Sequence, residues 1–238
     1  MYRGKNIALI MPAKNEARAL PSVLGKVPPK VDQVLVVNNG STDNTAEVAS
    51  RHRANVVEEP RSGYGIACLA GLKVLEKNPP DIVAFADADG SDDLSKLFDL
   101  MDPLLSGEAD LVLGKRIPTE SDALSRQQRF GNWLATFLIN LFWGYAYKDL
   151  GPMRVINWTS LQALQMTDQN YGWTIEMQIR ALKKGLRIKE FPVPYRRRVA
   201  GHSKVSRNLY GSLRAGIKII WVICRELVHF SKPGPSTR

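Results

Sequence analysis

Short apolar runs alternate with helical stretches along the first half of the chain, and this alternation restricts the fold more than any other feature. Successive runs begin about 25 residues apart, the spacing of right-handed βαβ units that build a parallel sheet. The sequence therefore predicts an α/β fold with helices flanking the sheet. The predicted strands are Asn6–Met11, Gln33–Val37, Asn55–Glu58, Ile82–Ala86 and Asp110–Gly114.

Polar loops follow three of these strands, at Pro12–Glu16, Asn38–Asp43 and Asp87–Gly90. The carboxyl ends of parallel strands share one edge of a sheet, where open α/β folds bind their ligands. Helix N-termini and backbone N–H groups at that edge suit phosphate groups. No G-x-G-x-x-G follows the first strand and no P-loop motif is present, so the patterns argue against a dinucleotide fingerprint and a P-loop ATPase.

The buried strand before the third loop runs directly into Asp87 and Asp89. An Asp-x-Asp pair offers two hard oxygen ligands, which suit Mg²⁺ or Mn²⁺ shared with phosphate oxygens. The pair alone is more often an acidic turn than a metal site. The two neighbouring polar loops favour the metal site.

The net charge of +10 on the 238 residues is concentrated near the C-terminus. From Gln178 onward, fifteen Lys or Arg residues stand against two Glu. Such a segment suits nucleic acid, anionic lipid or a phosphorylated substrate, and charge alone does not choose among them. A nucleic-acid module would add aromatic platforms, for which Tyr195 and Tyr210 are too few, so we expect no nucleic-acid partner.

Several features favour a cytoplasmic protein. Cys68 and Cys224 lie far apart in apolar surroundings, and the first strand begins too early for a signal peptide. No apolar run reaches the roughly 20 residues of a membrane span. Trp133–Tyr147 and Ile217–Val228 are either buried core helices or helices lying in a membrane interface.

The second half of the chain shows a looser pattern. We expect a mobile polar loop over Ile117–Gln128, a helix over Phe130–Tyr147 and a strand-to-helix passage over Val155–Leu164. A further helix is expected over Tyr171–Lys184, and an edge strand over Leu186–Pro194. A helix over Ala17–Val27 is expected in the first half.

Eight motifs in this order resemble the family 2 glycosyltransferases with the GT-A fold. Within that family, the chain looks most like the dolichyl- and polyprenyl-phosphate hexose (mannose or glucose) synthases, here without a transmembrane domain. The last two motifs favour this subgroup most. The motifs are PAKNE (12–16), NNGSTDNT (38–45), GYGIACLAG (63–71), DADG (87–90), LGKR (113–116), DLGPMR (149–154), WTIEMQIRALKKG (173–185) and YRRRVAGHSK (195–204).

The resemblance implies a mostly parallel GT-A sheet and a role for each matching residue. The nucleotide sugar would be bound by Pro12, Ala13, Asn15, Glu16, Asn38, Asn39, Gly40, Gly65, Asp87, Ala88 and Asp89, with Mg²⁺ or Mn²⁺ on Asp87 and Asp89. Relatives usually carry an aspartate where this chain has Asn38 and Asn39. The catalytic residues would be Asp89, Asp149 and Arg116, and the acceptor would be bound by Arg116, Arg129, Glu176, Arg198, Ser203 and Lys204.

Two of these assignments have a simpler alternative. Glu176 could instead be a helix residue paired with Arg180 at i+4. The run Arg196–Arg198 could be a solvated basic face.

The implied reaction is metal-dependent, inverting transfer of a hexose from a UDP- or GDP-linked donor to a polyprenyl or dolichyl phosphate. A phosphate acceptor is already anionic and needs little help from a base, whereas a hydroxyl acceptor needs one, for which Asp149 is the first candidate. The alternatives are a hydroxyl acceptor and, less favoured, a sugar nucleotidyltransferase, which would carry a basic Gly-rich first loop.

The expected organisation follows the same resemblance. Residues 1–205 would form the transferase domain, with a donor half over 1–115 and an acceptor half over 116–205. Residues 206–238 would form a basic amphipathic helix and tail. The enzyme would sit peripherally on the cytoplasmic face of a membrane.

Overall fold

A computed structural model describes residues 1–200 and 209–228, and the side chains of residues 1–200 and 216–228. The described strands form one seven-stranded sheet in the order β3-β2-β1-β4-β6-β5-β7. Strand β6 runs antiparallel to both neighbours, and every other neighbouring pair is parallel. The strands are β1 (Ile7–Ala13), β2 (Gln33–Asn38), β3 (Asn55–Glu58), β4 (Ile82–Phe85), β5 (Leu111–Pro118), β6 (Arg154–Asn157) and β7 (Ile188–Tyr195).

Helices cover both faces of the sheet, as the sequence predicts for an α/β fold. A short 3₁₀ helix, Leu94–Lys96, precedes α4. The α-helices are α1 (Leu20–Leu24), α2 (Thr45–Arg51), α3 (Tyr64–Leu75), α4 (Leu97–Leu105), α5 (Arg126–Trp143), α6 (Trp158–Leu164), α7 (Trp173–Lys183) and α8 (Leu209–Val228). No helix within residues 1–200 and 209–228 is both long and apolar enough to cross a membrane.

The core lies in two layers because side chains of a strand alternate between the faces of its sheet. In β1, Ile7, Leu9 and Met11 enter one layer, which packs against α1, α2 and α4. Ala8 and Ile10 enter the other, which packs against α3 and α5 to α8. The central strands are buried on both faces, which is why they read as continuous apolar runs.

The reversed strand β6 brings a second group of loops to the ligand edge. Arg154, its first residue, pairs with Phe85, the last residue of β4. The chain entering β6 therefore reaches the same edge as the chain leaving β4.

Two expectations are corrected. Residues 117–128 are not a loop throughout: β5 continues to Pro118 because it pairs with β7 as far as Tyr195, and α5 begins at Arg126 because Ser125 and Gln128 form a capping box. The helix expected over residues 17–27 is shortened to α1, which begins at Leu20 with Pro21 in its first turn.

Candidate active site

The first two loops at the ligand edge are tied together by side-chain hydrogen bonds. Ser41 Oγ accepts the backbone N–H of Asn15 at 3.0 Å, and Asn15 Oδ1 accepts that of Thr42 at 2.7 Å. Asn15 has a φ of 55°, a left-handed conformation that asparagine tolerates better than most residues. Thr45 Oγ1 accepts the backbone N–H of Glu16 at 2.9 Å. The loop after Pro12 and Ala13 is therefore held rigidly at the end of β1.

Asn38, the last residue of β2, combines one satisfied and one free polar atom. Its Nδ2 donates to Glu58 Oε2 at 2.8 Å. Its Oδ1 is buried and accepts no hydrogen bond from the described residues. A buried acceptor without a donor is costly, so this atom suits a ligand N–H.

The side chain of Asn39 forms hydrogen bonds within the protein. Its Nδ2 donates to the carbonyl oxygens of Arg61 at 2.6 Å and Glu59 at 3.4 Å, and its Oδ1 accepts the N–H of Gly63 at 2.8 Å. The amide therefore positions the 59–63 loop, and only a second lone pair of its oxygen remains for a ligand.

The two glycines assigned to the donor site lie where the backbone leaves no room for a Cβ. Gly40 has a φ of 64°, and a Cβ there would lie 2.9 Å from the carbonyl oxygen of Pro60. The N–H of Gly65 donates to the carbonyl oxygen of Asn170 at 3.2 Å, and a Cβ would overlap the carbonyl oxygen of Asp168. Gly65 thus allows α3 to pack closely against the 168–170 turn.

The Asp-x-Asp pair follows β4 directly, with Ala88 buried between the two carboxylates. Asp89 Oδ1 accepts the N–H of Ser91 at 2.8 Å and its hydroxyl at 2.6 Å. Asp92 Oδ2 accepts the N–H of Asp87 at 3.0 Å. These bonds fold the 87–92 turn back on itself and gather three carboxylates.

This gathering gives the turn excess negative charge. Burial raises the pKa of Asp87 well above its usual value, and the charges of Asp89 and Asp92 raise it further. Burial and the charge of Asp89 raise the pKa of Asp92 to about 7, against the hydrogen bond from the backbone of Asp87. Crowded hard oxygens of this kind fit a divalent cation.

The protein does not offer a closed metal site in the part that the structure describes. No group of three or more His, Cys, Asp or Glu side chains converges there as metal ligands. A cation on Asp87 and Asp89 would therefore take its remaining oxygens from phosphate or water, as Mg²⁺ commonly does.

Arg198 lies over the carboxylates from the segment that follows β7. Its Nη2 is 2.6 Å from Asp89 Oδ2, and its Nη1 is 3.6 Å from Glu16 Oε1. Burial would lower the pKa of Arg198, but the charges of Asp89 and Glu16 raise it above its usual value. Backbone bonds from Arg196 to Ser91 and from Val199 to Asp89, at 3.0 and 2.9 Å, hold this segment on the 87–92 turn.

The other two arginines of the run fit the alternative of a solvated face. Arg196 pairs with Asp93 at 3.1 Å, and Arg197 pairs with Asp122 on the protein surface. Only Arg198 of the three contacts the Asp-x-Asp pair in the described part of the chain.

Arg116 and Asp149 form a buried bidentate pair. Arg116 Nε donates to Asp149 Oδ2 at 2.8 Å, and its Nη2 donates to Oδ1 at 2.7 Å. The backbone N–H of Arg116 donates to Oδ2 at 2.8 Å, and the two side chains are 12% and 7% exposed. The hydrogen bonds and charge of Asp149 outweigh burial and raise the pKa of Arg116 above its usual value.

Asp149 is the candidate base of the sequence interpretation. Both of its carboxylate oxygens are bound to a permanent cation, an arrangement that favours orienting Arg116 over accepting a proton. The guanidinium of Arg116 lies 5.4 Å from the ring centre of Tyr195, and Tyr195 forms a β-bridge with Asp92, so Arg116 is close to the acidic turn. Its charge lowers the pKa of Asp87 and Asp92, against the effect of burial.

Four side chains that the sequence interpretation did not select hold the loop containing Asp149. Glu190 accepts the N–H groups of Lys148 and Asp149, each at 3.0 Å. Asn132 Oδ1 accepts the N–H of Leu150. Arg154 donates to the carbonyl oxygen of Gly151, and Gln178 Nε2 donates to that of Asp149. Of these four, only Arg154 could have been selected from the sequence, because a charged residue next to a buried apolar run needs hydrogen-bond partners.

Glu176 requires a correction, and its simpler alternative holds. It is fully buried, pairs with Arg180 at 3.0 Å, and accepts the N–H groups of Thr167 and Asp168 at 3.0 and 2.8 Å. Arg225 of α8 also contacts it. Glu176 therefore joins α7 to its neighbours.

Of the remaining acceptor candidates, the structure describes only Arg129, which it places in another contact. Arg129 donates to the carbonyl oxygens of Ser121 and Leu124, at 3.0 and 3.3 Å, in the turn before α5. Ser203 and Lys204 lie outside the described residues.

The chain is similar to known proteins over most of its length. The sequence profile described as Glycosyl transferase family 2 matches residues 8–158. An uncharacterised glycosyltransferase of Mycobacterium tuberculosis is 41% identical over 212 residues, covering 89% of this chain and 95% of its own. A dolichyl-phosphate hexose transferase of Haloferax volcanii is 31% identical over 228 residues, covering 94% and 97%.

The fold is also similar to solved structures. The crystal structure of glucosyl-3-phosphoglycerate synthase from Mycobacterium tuberculosis, in complex with Mn²⁺, UDP and glucosyl-3-phosphoglycerate, has a TM-score of 0.74. Its sequence is 24% identical, and the match covers 94% of this chain and 80% of that one. At this identity the likeness establishes the GT-A fold.

Proposed function

The chain belongs to glycosyl transferase family 2 and is a hexosyltransferase, and on that premise we propose that it transfers a hexose from a nucleoside diphosphate sugar to a polyprenyl or dolichyl phosphate. The observation that carries this proposal is the position of Arg116 and Arg198 beside the acidic 87–92 turn. Two partly buried guanidinium groups there suit two anions that must be brought together, a departing diphosphate and an incoming phosphate.

The donor is bound by the loops after β1, β2 and β4. The free Oδ1 of Asn38 accepts an N–H of the base, and the rigid 12–16 loop lines the nucleotide pocket. UDP and GDP both carry such N–H groups. Residues 1–115 form the donor half in this proposal, and residues 116–205 form the acceptor half.

Asp87 and Asp89 are the residues that would hold Mg²⁺ or Mn²⁺ when the donor is bound. The cation, when bound, offsets the negative charge that develops on the leaving nucleoside diphosphate. Asp92 does not ligate the cation in this proposal, because its carboxylate holds the backbone of Asp87.

The acceptor is an anion because the site has arginines where a hydroxyl acceptor would need a free base. An oxygen of the acceptor phosphate attacks the anomeric carbon, and the bond from that carbon to the donor diphosphate breaks with inversion. The phosphate is already ionised near neutral pH, so no side chain need take a proton. Arg116, fixed by Asp149, and Arg198 align the phosphate for in-line attack.

A relative's printed activity supports this acceptor. The Haloferax volcanii protein, with 31% identity, is named a dolichyl-phosphate hexose transferase. Its match extends over 94% of this chain, which includes the acceptor half.

The test is a panel of UDP- and GDP-hexoses with Mg²⁺ or Mn²⁺ and a short-chain polyprenyl phosphate in detergent. We expect a glycosyl phospholipid product with one donor, and no product from the matched polyprenol, which lacks the phosphate. Transfer to the polyprenol or to a soluble hydroxyl compound, with none to the phosphate, would overturn the proposal.

A further inference from the structure

One face of α5 carries an exposed row of large apolar side chains. Phe130, Trp133, Phe137 and Leu141 are 49–62% exposed. Their spacing of three or four residues gives one stripe along a helix. The rings of Phe130 and Trp133 lie 5.8 Å apart and those of Trp133 and Phe137 lie 5.7 Å apart, so the aromatic part of the stripe is continuous.

Helix α8 carries a second stripe with the same periodicity. Ile217, Ile220, Trp221 and Val228 are 46–84% exposed, and Cys224 is exposed between them. Trp221 is flanked by the cations of Lys218 and Arg225, 4.1 and 5.0 Å from its ring centre. Tryptophan flanked by basic residues is typical of a helix at a membrane surface.

The two stripes lie on the outer side of one helical layer. Ala135 and Ile139 of α5 enter the same core as Val222 and Ile223 of α8, and the two helices contact each other. Their opposite faces therefore both point away from that core.

Buried ion pairs fix α8 in this orientation. Lys218 pairs with Asp168 at 2.8 Å, and Arg225 pairs with Glu176 of α7. The carboxylate of Glu226 on α8 pairs with Arg180 and Lys183 of α7, each at 3.0 Å. The apolar stripe of α8 is thus held outward by charges that face inward.

Neither helix exposes a carboxylate beside its stripe in the described part of the chain. Helix α5 contains Arg126 and Arg129 and no acidic residue. The only acidic residue of α8 is Glu226, which is 2% exposed. We propose that the outer faces of α5 and α8 together form a docking surface for an anionic phospholipid bilayer, with the two stripes inserted at the level of the headgroups.

The proposal gives the acceptor site its access to lipid, and in that respect it rests on the proposed function. Asn132, beside Trp133 on α5, accepts a hydrogen bond from Arg116 at 3.4 Å and the N–H of Leu150 at 2.8 Å. The aromatic row therefore begins next to the guanidinium that we assign to the acceptor phosphate. A lipid whose phosphate lies at Arg116 can extend its chain along α5 into the bilayer.

A second copy of the chain fits the surface less well than a bilayer. Two such faces brought together would place basic residues against basic residues, with no exposed carboxylate on either helix to compensate. Anionic headgroups supply that compensation.

The test is flotation of the full chain with vesicles that contain neither donor nor acceptor. We expect binding to vesicles of 70% phosphatidylcholine and 30% phosphatidylglycerol, weaker binding to phosphatidylcholine alone, and a decrease with salt. Phe137→Ser/Leu141→Ser and Ile217→Ser/Ile220→Ser should each lower the partition coefficient at least about tenfold. Trp133 and Trp221 remain in both variants, so a blue shift of their emission on binding reports their entry into the interface.

Val74→Ser is the matched control, because Val74 is exposed on α3 and belongs to neither stripe. It should bind as the wild type does, and thermal unfolding should show that all variants are folded. Wild-type binding by both double variants, or no binding by the wild type, would overturn the proposal. So would a change from dimer to monomer in the variants, since the surface would then belong to a second copy. Transfer to the short-chain acceptor in detergent tests the proposed function separately, because it requires no bilayer.

Discussion

Arg198 Nη2 lies 2.6 Å from Asp89 Oδ2, so a guanidinium contacts the carboxylate that we assign to the metal. The same side chain reaches Glu16 at 3.6 Å on the first loop. Arg198 thus links the strand edge of the donor half to the segment after β7. A metal ion on Asp89 and the guanidinium of Arg198 compete for one negative charge.

Arg198→Gln should therefore strengthen Mn²⁺ binding in the absence of nucleotide, by about tenfold for one competing cation removed near the surface. Electron paramagnetic resonance of free Mn²⁺ measures this directly. The same variant should raise the KM for the phosphate acceptor more than the KM for the donor. Arg196→Gln is the control, since Arg196 pairs with Asp93. Weaker Mn²⁺ binding in Arg198→Gln would contradict the competition.

Asp89→Asn should lower kcat at least about a hundredfold, because the amide cannot replace the negative charge that holds a divalent cation. The amide oxygen can still accept the two bonds from Ser91. The ion pair with Arg198 is lost, but so is the repulsion between Asp89 and the carboxylates of Asp87 and Asp92, so the melting temperature should change little. Asp93→Asn, four residues further along, serves as the control, because Asp93 caps the 3₁₀ helix. Full activity in Asp89→Asn would remove the metal assignment.

Asp149→Asn tests whether Asp149 positions Arg116 or acts as a base. Removing one partner of a buried ion pair costs about 3 kcal/mol or more, so we expect a large loss of stability in urea unfolding. Arg116→Met should cause a similar loss, and the double variant should lose much less than the sum. If Asp149 were a base, Asp149→Asn would have a lower kcat, and the acidic limb of the pH profile of kcat would disappear. The variant would keep the stability of the wild type.

Glu226→Gln should destabilise the protein at neutral pH but not in acid. Burial would raise the pKa of Glu226, but hydrogen bonds from Arg180 and Lys183 hold it below its usual value. A depressed pKa stabilises the folded state above the ordinary pKa of glutamate, and this stabilisation is lost as the pH falls through the folded-state value. Urea unfolding at about pH 7 and about pH 3 should thus show a difference from wild type only at the higher pH.

The control for this measurement is Glu47→Gln. Glu47 forms an exposed i,i+4 pair with Arg51, and such pairs contribute little. A difference between Glu226→Gln and wild type that stays constant over the pH range would exclude the charge of Glu226 as its source.

The donor half was predictable because its signals are local. Each of β1, β2 and β4 is an uninterrupted apolar run followed at once by a polar loop, and the topology brings these loops to one edge. The buried strands leave little freedom in where the Asp-x-Asp pair can lie. The correct fold class follows from this part of the chain alone.

The acceptor half was less predictable because its contacts join residues far apart in sequence. Arg116 and Asp149 are 33 residues apart, and Arg198 is more than a hundred residues from Asp89. Nothing in the local sequence distinguishes an aspartate that binds an arginine, as Asp149 does, from one that acts as a base. The same holds for Asn39 and Gly65, whose partners at 61–63 and 168–170 become apparent only in three dimensions.

The strand order also bears on how the chain assembles during synthesis. All pairings among β1 to β4 are available once Phe85 has emerged from the ribosome. The outer edge of β4 must then wait for β6, which begins at Arg154, and β5 must wait for β7, which ends at Tyr195. The nascent chain therefore exposes an unpaired edge of β4 for about 70 residues of translation, a period of several seconds in which pairing with another chain competes with folding.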